Sequence, residues 1–250
     1  MGRGGAGCGR HVPGPRRRDG AKTTVRGARI ARAAARVGRR LDAAKDALTR
    51  VRLFARRRAA ATRYWRGVRG RRNEIMQKYR NCRDAWCAAR RDAELRGVSR
   101  LPATGGRWVD ARGNPMPVGS GYWKPDPGTS LDRALANHPN GSRSVPFRDG
   151  KPDFSGFPAP STRGRSNTVE IEMSGNSAQD VRTAAREYRG RTGIETTGRR
   201  SDGTWHHEPD GVTTTYVDRR VHTAYRDANG AANSGTPHAG GDSMTRDPRY

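Results

Sequence analysis

Apolar side chains in the first hundred residues recur at intervals of three, four or seven, which is the period of an α-helix. Two such runs follow one another. The first run consists of Ile30, Val37, Leu41, Leu48, Val51 and Phe54. The second run consists of Tyr64, Trp65, Val68, Ile75, Met76, Tyr79, Trp86 and Leu95. Gly67 and Gly70 are weak helix formers and are expected to break or bend the path between the runs. The pattern predicts a helical arm over 21–97, in the form of an amphipathic hairpin or a coiled coil.

Two stretches lack this period. Residues 1–20 combine Gly, Pro and Arg and are predicted to form a disordered basic tail. Residues 98–144 are interrupted by many Gly and Pro residues, which is typical of a linker with short extended pieces at most. His138 lies in a turn-forming sequence, 137–141, and is expected at the surface.

A compact domain is predicted over 145–245. Residues 168–173 alternate apolar and acidic side chains, which indicates a half-buried strand. Ser177 can cap a helix that stops at Gly190. This mixture of elements predicts an α+β fold.

A β-hairpin is predicted next. Residues 203–207 and 212–217 are the two strands, and the pair Asp210-Gly211 is a strong tight-turn signal between them. Asp218 or a neighbour can then begin a helix that bears His222. The hairpin and this helix would lie at the centre of the C-terminal domain.

The charge is concentrated in the N-terminal part. The chain has a formal net charge of +26, and residues 1–100 hold 30 of its 50 Lys and Arg residues. Such a polycation favours polyphosphate, because each neutralised phosphate releases a counterion. A solvated helix face, an anionic membrane surface and an acidic protein partner are the alternatives. The arginines predicted to bind nucleic acid are Arg56, Arg57, Arg58, Arg71 and Arg72.

Several classes of protein are disfavoured by the sequence. No apolar run approaches the ~18 residues that a membrane span requires, and the N-terminus lacks the apolar segment of a secretory signal. Cys8, Cys82 and Cys87 give no disulfide framework or zinc spacing, so free thiols and a cytosolic origin are expected. Hydrophobic residues make up 32% of the chain, too few for one large core.

Four of the six histidines lie in residues 205–250. Neutral imidazole is a common transition-metal ligand and accepts a proton near neutral pH. On a strand, His206 and His207 point to opposite sides, so one can hold a metal while the other handles a water. Glu208 is close enough to add an oxygen ligand. A structural zinc site is the main alternative, although such sites usually include cysteines.

These histidines stand in a sequence context that resembles a known family. The residues are Trp205-His206-His207, Tyr216-Val217-Asp218, His222 and His238-Ala239-Gly240-Gly241, preceded by Pro152-Asp153-Phe154-Ser155. They resemble the WHH type of the HNH/endonuclease VII superfamily, whose members occur as C-terminal domains of bacterial polymorphic toxins. The resemblance covers residues 145–245 and implies a small ββα-metal, treble-clef-like nuclease domain.

The resemblance also implies residue roles. His206, His222 and His238 would be metal ligands, and His207 would be the general base. Trp205 would be a packing residue that fixes the strand. The sequence departs from the family pattern in two places. Thr215 stands where the family commonly has the Gln that orients the base, and the interval from His222 to His238 is longer than expected.

The function expected from this resemblance is a metal-dependent endonuclease acting on DNA more readily than RNA. Its cofactor would be a divalent ion, Mg²⁺, Zn²⁺, Mn²⁺ or Ni²⁺. A toxin of this type would have an acidic immunity protein as partner, and would be cytoplasmic in the producer and exported without a Sec-type signal. The alternative is a non-enzymatic basic nucleic-acid-binding protein with a structural metal module.

Overall fold

A computed structural model describes residues 20–98, 101–197, 201–222, 225–226, 232–233 and 235–238. The predicted tail therefore lies outside the described residues, apart from Gly20. The chain forms two compact units, Met1–Arg52 and Leu53–Tyr250. Mixed helices and small antiparallel sheets make the fold α+β, as predicted. None of the described helices combines the length and apolar composition needed to cross a membrane.

The arm consists of two helices, α1 (Gly20–Lys78) and α2 (Ala85–Val98). The prediction that Gly67 and Gly70 interrupt the first helix was wrong. Each costs a helix only about 1 kcal/mol, and the surrounding Arg and Ala residues are good helix formers. Cys82 and Cys87, expected as free thiols, are joined as a disulfide that links the turn after α1 to the first turn of α2.

The C-terminal part of α1 and all of α2 belong to the second unit. Val68 and Leu95 are fully buried, and Ile75 and Met76 pack against the core of that unit. The second apolar run is therefore mainly a packing surface, although its Trp86 is 69% exposed. The boundary between the units lies at 52/53 rather than near residue 97.

Residues 101–152 are folded, which corrects the prediction of a linker. A four-stranded antiparallel sheet contains β1 (Gly106–Val109), β2 (Gly121–Pro125), β3 (Val145–Arg148) and β4 (Lys151–Pro152), in that order. Helix α3 (Ser130–Ala136) lies between β2 and β3 in the chain. Most of the Gly and Pro residues of 98–144 occupy the turns between these short elements, whereas Gly106, Gly121 and Pro125 lie at strand ends.

Aromatic side chains supply the core of this first sheet. Trp108 packs against Trp123 and Phe147 at ring-centroid distances of 5.3 and 4.8 Å. All three rings are buried. Rings of this size bury enough apolar surface to stabilise short strands. The Gly and Pro content alone therefore wrongly predicted a linker.

The second sheet carries the histidines. It contains β5 (Thr168–Glu170), β6 (Gly203–His207) and β7 (Thr213–Asp218), with β7 in the centre and both pairings antiparallel. The predicted hairpin and turn are confirmed, and the strand predicted over 168–173 is formed over Thr168–Glu170. A short 3₁₀ helix, Pro160–Thr162, precedes β5.

Helix α4 (Ser177–Thr192) packs against this sheet through Ala184 and Tyr188. Its cap is Asn176 rather than Ser177, and it ends at Gly193 rather than Gly190. The remaining elements follow β7 in the chain: α5 (Arg219–His222), β8 (Tyr225–Arg226) and β9 (Ala232–Asn233). The helix bearing His222 was predicted from the sequence.

Candidate metal centre

The β6–β7 hairpin determines which side chains can meet. His206 is paired with Thr215 across the two strands, and His207 is paired with Thr214. Because side chains alternate along a strand, His206 and Thr215 share one face and His207 and Thr214 share the other.

Three imidazoles converge on the first face. His206 from β6, His222 from the end of α5 and His238 from the segment beyond β9 form the histidine cluster. His206 Nδ1 lies 3.0 Å from His222 Nε2 and 3.1 Å from His238 Nε2. Each residue offers one ring nitrogen, and these nitrogens all lie within 4.8 Å of one another. The structure thus brings together the three residues predicted as metal ligands.

Backbone contacts fix the ring of His238. Its Nδ1 lies 2.6 Å from the Thr236 carbonyl oxygen, so Nδ1–H donates and Nε2 keeps its lone pair. Thr236 is itself tied to α5: its amide donates to the His222 carbonyl at 3.2 Å, and its hydroxyl donates to the Val221 carbonyl at 2.8 Å. This support orients the ring in the way that outer hydrogen bonds orient metal-binding histidines.

Phe154 forms the apolar wall of the cluster. Its ring centroid lies 5.0 Å from that of His206, 5.1 Å from His222 and 5.2 Å from His238. Phe154 is buried and belongs to the main core. The sequence had marked residues 152–155 as a family element, but no pattern indicated that this ring would contact all three imidazoles.

Burial favours the neutral forms of His206 and His222. Burial lowers the pKa of His206 well below 6.5, and the neighbouring histidines lower it further. The pKa of His222 is lowered for the same reasons, with burial as the main cause. Neutral imidazoles have the lone pairs that a metal ion requires.

The cluster geometry fits a metal ion. Two ligands bonded at ~2.0 Å to a tetrahedral ion would lie about 3.3 Å apart, close to the observed nitrogen separations of 3.0 and 3.1 Å. Nε2 of His206 is buried without a hydrogen-bond partner. A proton on that nitrogen would leave Nδ1 free to face the other two ligands. The three histidines could therefore hold a metal ion.

Glu208 lies on the same face as the cluster. Its Oε2 is 3.8 Å from His206 Nε2, and its Oε1 accepts a hydrogen bond from Thr215 Oγ1 at 2.6 Å. Burial raises the pKa of the Glu208 carboxyl, and the nearby Asp210 and Asp153 also raise it, while the Thr215 bond lowers it. Thr215 thus orients Glu208 rather than His207.

An open cavity of about 620 Å³ reaches this face. Glu208, Thr215 and Phe154 contribute to its wall. The basic residues around it are Arg69, Arg148 and Lys151. A second cavity of about 530 Å³ is lined by Arg69 and Lys151 as well, together with Arg66. Three cationic side chains therefore line the cavity that holds Glu208, together with the carboxylates of Asp149 and Asp153.

His207 is separated from the cluster by the strand itself. Its Nε2 lies 3.2 Å from the Asp180 carboxylate on α4, and both side chains are buried. Asp180 also accepts hydrogen bonds from the Ser174 amide and hydroxyl at 2.8 and 2.7 Å. Asp180 was missed from the sequence, where an acid in the first turn of a helix is ordinary.

Trp205 has the packing role that was expected. Its indole is buried against Tyr188 and Tyr216, at centroid distances of 5.6 and 5.1 Å. Its Nε1–H donates to the Thr196 hydroxyl at 3.2 Å. These contacts hold β6 against α4.

The five candidate nucleic-acid-binding arginines differ in their surroundings. Arg56 and Arg71 are exposed. Arg57 pairs with Glu172 at 3.4 Å, and Arg58 pairs with Glu170. These pairs occupy both side chains within the fold.

Arg72, the fifth of these arginines, was expected to be exposed but is buried. Its side chain is buried and donates to the Val118 carbonyl at 2.8 Å and to the Ser120 hydroxyl at 3.3 Å. Burial lowers the pKa of its guanidinium. Arg72 therefore joins α1 to the loop before β2 and is not available to a ligand.

His138 was expected at the surface but is buried beside Asp218. Its Nε2 lies 4.0 Å from the Asp218 carboxylate. Asp218 accepts from the Arg220 amide at 2.8 Å and from its guanidinium at 2.7 Å. These contacts fix the start of α5, the helix that presents His222.

No protein-family model matches this chain, and no curated protein gives a significant match. The histidine cluster and the groups around it are therefore the features that indicate a function for this chain.

Proposed function

We propose that the C-terminal domain is a metal-dependent endonuclease of the ββα-metal, WHH type. The observation that supports this most strongly is the convergence of His206, His222 and His238, with His206 beside Glu208, which lines an open cavity. A hairpin supplies His206 and the following helix supplies His222, which is the order expected of a ββα-metal site.

The donor set favours some divalent ions over others. Three imidazoles suit Zn²⁺ or Ni²⁺ better than Mg²⁺ or Mn²⁺, which prefer oxygen ligands. Catalytic zinc sites have three protein ligands and a fourth position open to water or substrate. A divalent ion bound there would supply positive charge to stabilise the developing charge on the phosphate and the leaving oxygen.

Glu208 is the proton acceptor that the geometry favours. It shares a face with the cluster and lines the cavity, whereas His207 is buried on the opposite face against Asp180. The pKa of the Glu208 carboxyl is raised, and a carboxylate with a raised pKa is a stronger base than a carboxylate with the usual pKa. Glu208 would take the proton of an attacking water, while Thr215 holds the carboxylate in position.

The basic residues at the cavity would bind the phosphate backbone. Arg148 and Lys151 line the wall close to Glu208, and Arg69 lies between the two cavities. Arg69 is paired with Asp149 at 2.6 Å, so substrate would compete with this carboxylate. Phosphate contacts of this kind position the strand without reading its bases, consistent with cleavage of DNA with little sequence preference.

The assay of this proposal uses the full chain, freed of metal by a chelator and reloaded with Zn²⁺, Ni²⁺, Mn²⁺ or Mg²⁺ in turn. Supercoiled DNA and tRNA are the substrates, and metal content is measured in parallel. We expect cleavage with Zn²⁺ or Ni²⁺. The variant His222→Ala should lose both the bound metal and the cleavage. Metal binding without cleavage of either substrate would instead support a structural metal module in a basic nucleic-acid-binding protein.

A toxin role with an acidic immunity protein is the biological setting that the family resemblance suggests. It would be tested by expressing the chain in bacteria with and without the product of the adjacent reading frame. Growth arrest that depends on His222 and is relieved by that product is the expected result. Growth arrest that persists in His222→Ala would contradict the toxin role of the nuclease.

A further inference from the structure

A narrow apolar stripe runs along the part of α1 that belongs to the first unit. Its members recur with spacings that alternate between four and three residues. They are Ile30, Ala34, Val37, Leu41, Ala44, Leu48 and Val51. This is the period of a coiled-coil seam, sustained over about three heptads. We call these seven residues the seam.

The seam is exposed along its whole described length. Ile30 is 70% exposed, and Val37, Leu41, Leu48 and Val51 are 57–64% exposed. Ala34 and Ala44 are also exposed. A contiguous apolar surface of this kind is uncommon on a folded protein without a partner.

The width of the seam indicates what kind of surface would cover it. Between residues 30 and 51, every Ile, Val and Leu lies at one of two positions of the seven-residue repeat, which is the pattern of a helix that faces one other helix. A helix that lies in a membrane surface has a broader apolar face with Trp, Phe or Leu. The seam contains no aromatic residue, and two of its members are alanines. One partner helix therefore fits this stripe better than a lipid surface does.

The charges beside the seam indicate the chemistry of that helix. The flanking positions are Ala31, Ala33, Gly38, Arg40, Lys45, Ala47 and Arg52. None of them is acidic. In a parallel pair of two copies, Arg40 of one copy would face Lys45 of the other, and like charges at these positions oppose pairing. A helix with acidic flanks would pair with the same positions favourably.

We infer that the seam of α1 binds an acidic amphipathic helix of a partner protein in a coiled coil. The partner helix would place apolar residues against the seam and Glu or Asp against Arg40, Lys45 and Arg52. This interaction uses residues 30–52 alone, so it is independent of the proposed nuclease activity.

The probe for this proposal is a labelled three-heptad peptide with Leu at the seam positions and Glu at the flanking positions. Binding to the full chain is measured by fluorescence anisotropy at physiological salt. Two control peptides separate apolar contact from charge: one keeps Glu but has Ser at the seam positions, and the other keeps Leu but has Lys at the flanks. We expect the first peptide to bind at least 10-fold more tightly than either control.

Matched variants of the chain complete the test. Leu41→Asn should weaken binding of the Leu/Glu peptide at least 10-fold, whereas Ala43→Asn, on another face of the helix, should leave it unchanged. Replacing Arg40, Lys45 and Arg52 together by Glu should transfer the preference to the Lys-flanked peptide. Circular dichroism checks that helix content is retained in each variant.

Three results would overturn the proposal. Equal binding of the Leu and Ser peptides would show that charge alone attracts them. Self-association of the chain in sedimentation, abolished by Leu41→Asn, would assign the seam to a second copy. Binding to anionic lipid vesicles that depends on Leu41, without binding of the peptide, would assign it to a membrane surface.

Discussion

His206 and His207 follow one another in the chain but lie on opposite faces of the β6–β7 hairpin. His206 Nδ1 is 3.0 Å from His222 Nε2, whereas His207 Nε2 is 3.2 Å from the Asp180 carboxylate. The two adjacent histidines therefore lie in two different environments. One ring belongs to the candidate metal centre, and the other joins the sheet to α4.

Replacing His207 by Ala should weaken the fold without removing the metal. The change leaves the buried Asp180 without one partner, which costs about 1–3 kcal/mol of unfolding free energy. Urea denaturation and calorimetric titration with Zn²⁺ measure the two effects. His206→Ala is the matched variant and should abolish metal binding. If His207→Ala bound metal and unfolded normally but no longer cut DNA, His207 would be the base, as the family resemblance implies.

Replacing Glu208 by Gln should reduce the rate of cleavage. The amide cannot accept the proton of water, and loss of a general base costs about 10²–10⁴-fold in rate. Zn²⁺ affinity should change little, because the three imidazoles remain. Glu187→Gln, an exposed change on α4, is the control and should keep full activity. A Glu208→Gln enzyme as fast as the parent would contradict the proposed base.

Replacing Thr215 by Val should move the pH dependence of cleavage. The Thr215 hydroxyl stabilises the Glu208 carboxylate, so its removal should raise the pKa of Glu208 further. Because the base acts in its deprotonated form, the acidic limb of the pH–rate profile should shift to higher pH. Rates at alkaline pH should fall much less. An unchanged acidic limb would show that Glu208 does not limit the rate.

The sequence predicted the C-terminal sheet because local signals agreed there. The alternation of 168–173, the Asp210-Gly211 turn and the β-branched strand 212–217 each specify their own segment. His222 and His238 were selected by residue type and by resemblance. Their contact with His206 depends on the path of residues between them, which no local pattern encodes.

Three of the errors have a common physical cause, which is packing between segments that are separated in sequence. Trp108 and Trp123 turn a Gly- and Pro-rich stretch into a sheet because each covers the other. Arg72 is hidden by the loop at Val118, and His138 is buried beside Asp218, 80 positions further along. None of these partners is adjacent in sequence, so exposure was assigned from residue type and was wrong.

Lowering the pH should destabilise the metal-free protein through His206 and His222. Their pKa values in the fold lie well below 6.5, while an unfolded histidine titrates near ~6.5. Below that pH the unfolded chain binds more protons than the fold, so stability is lost as pH falls. Between pH 7.5 and 5.5 the loss should approach about 3 kcal/mol for the two residues.

Denaturation in the presence of a chelator at both pH values measures this loss. The variant His206→Gln removes one of the two groups, so its stability should depend less steeply on pH than that of the parent. Equal pH dependence in parent and variant would show that His206 is not held neutral by the fold.

Replacing Phe154 by Leu should loosen the histidine cluster. The Phe154 ring contacts all three imidazoles, and a smaller side chain leaves space into which they can rotate. Metal affinity falls when the ligands must first be ordered, and mutating a residue that supports the ligands typically lowers metal affinity by about 10–100-fold. Phe157→Leu is the matched control, because Phe157 is equally buried but packs against His138, at 5.2 Å. Competition titration with a zinc chelator should show weaker binding for the first variant alone. Equal affinity in the two variants would mean that backbone contacts such as His238 to Thr236 suffice to hold the rings.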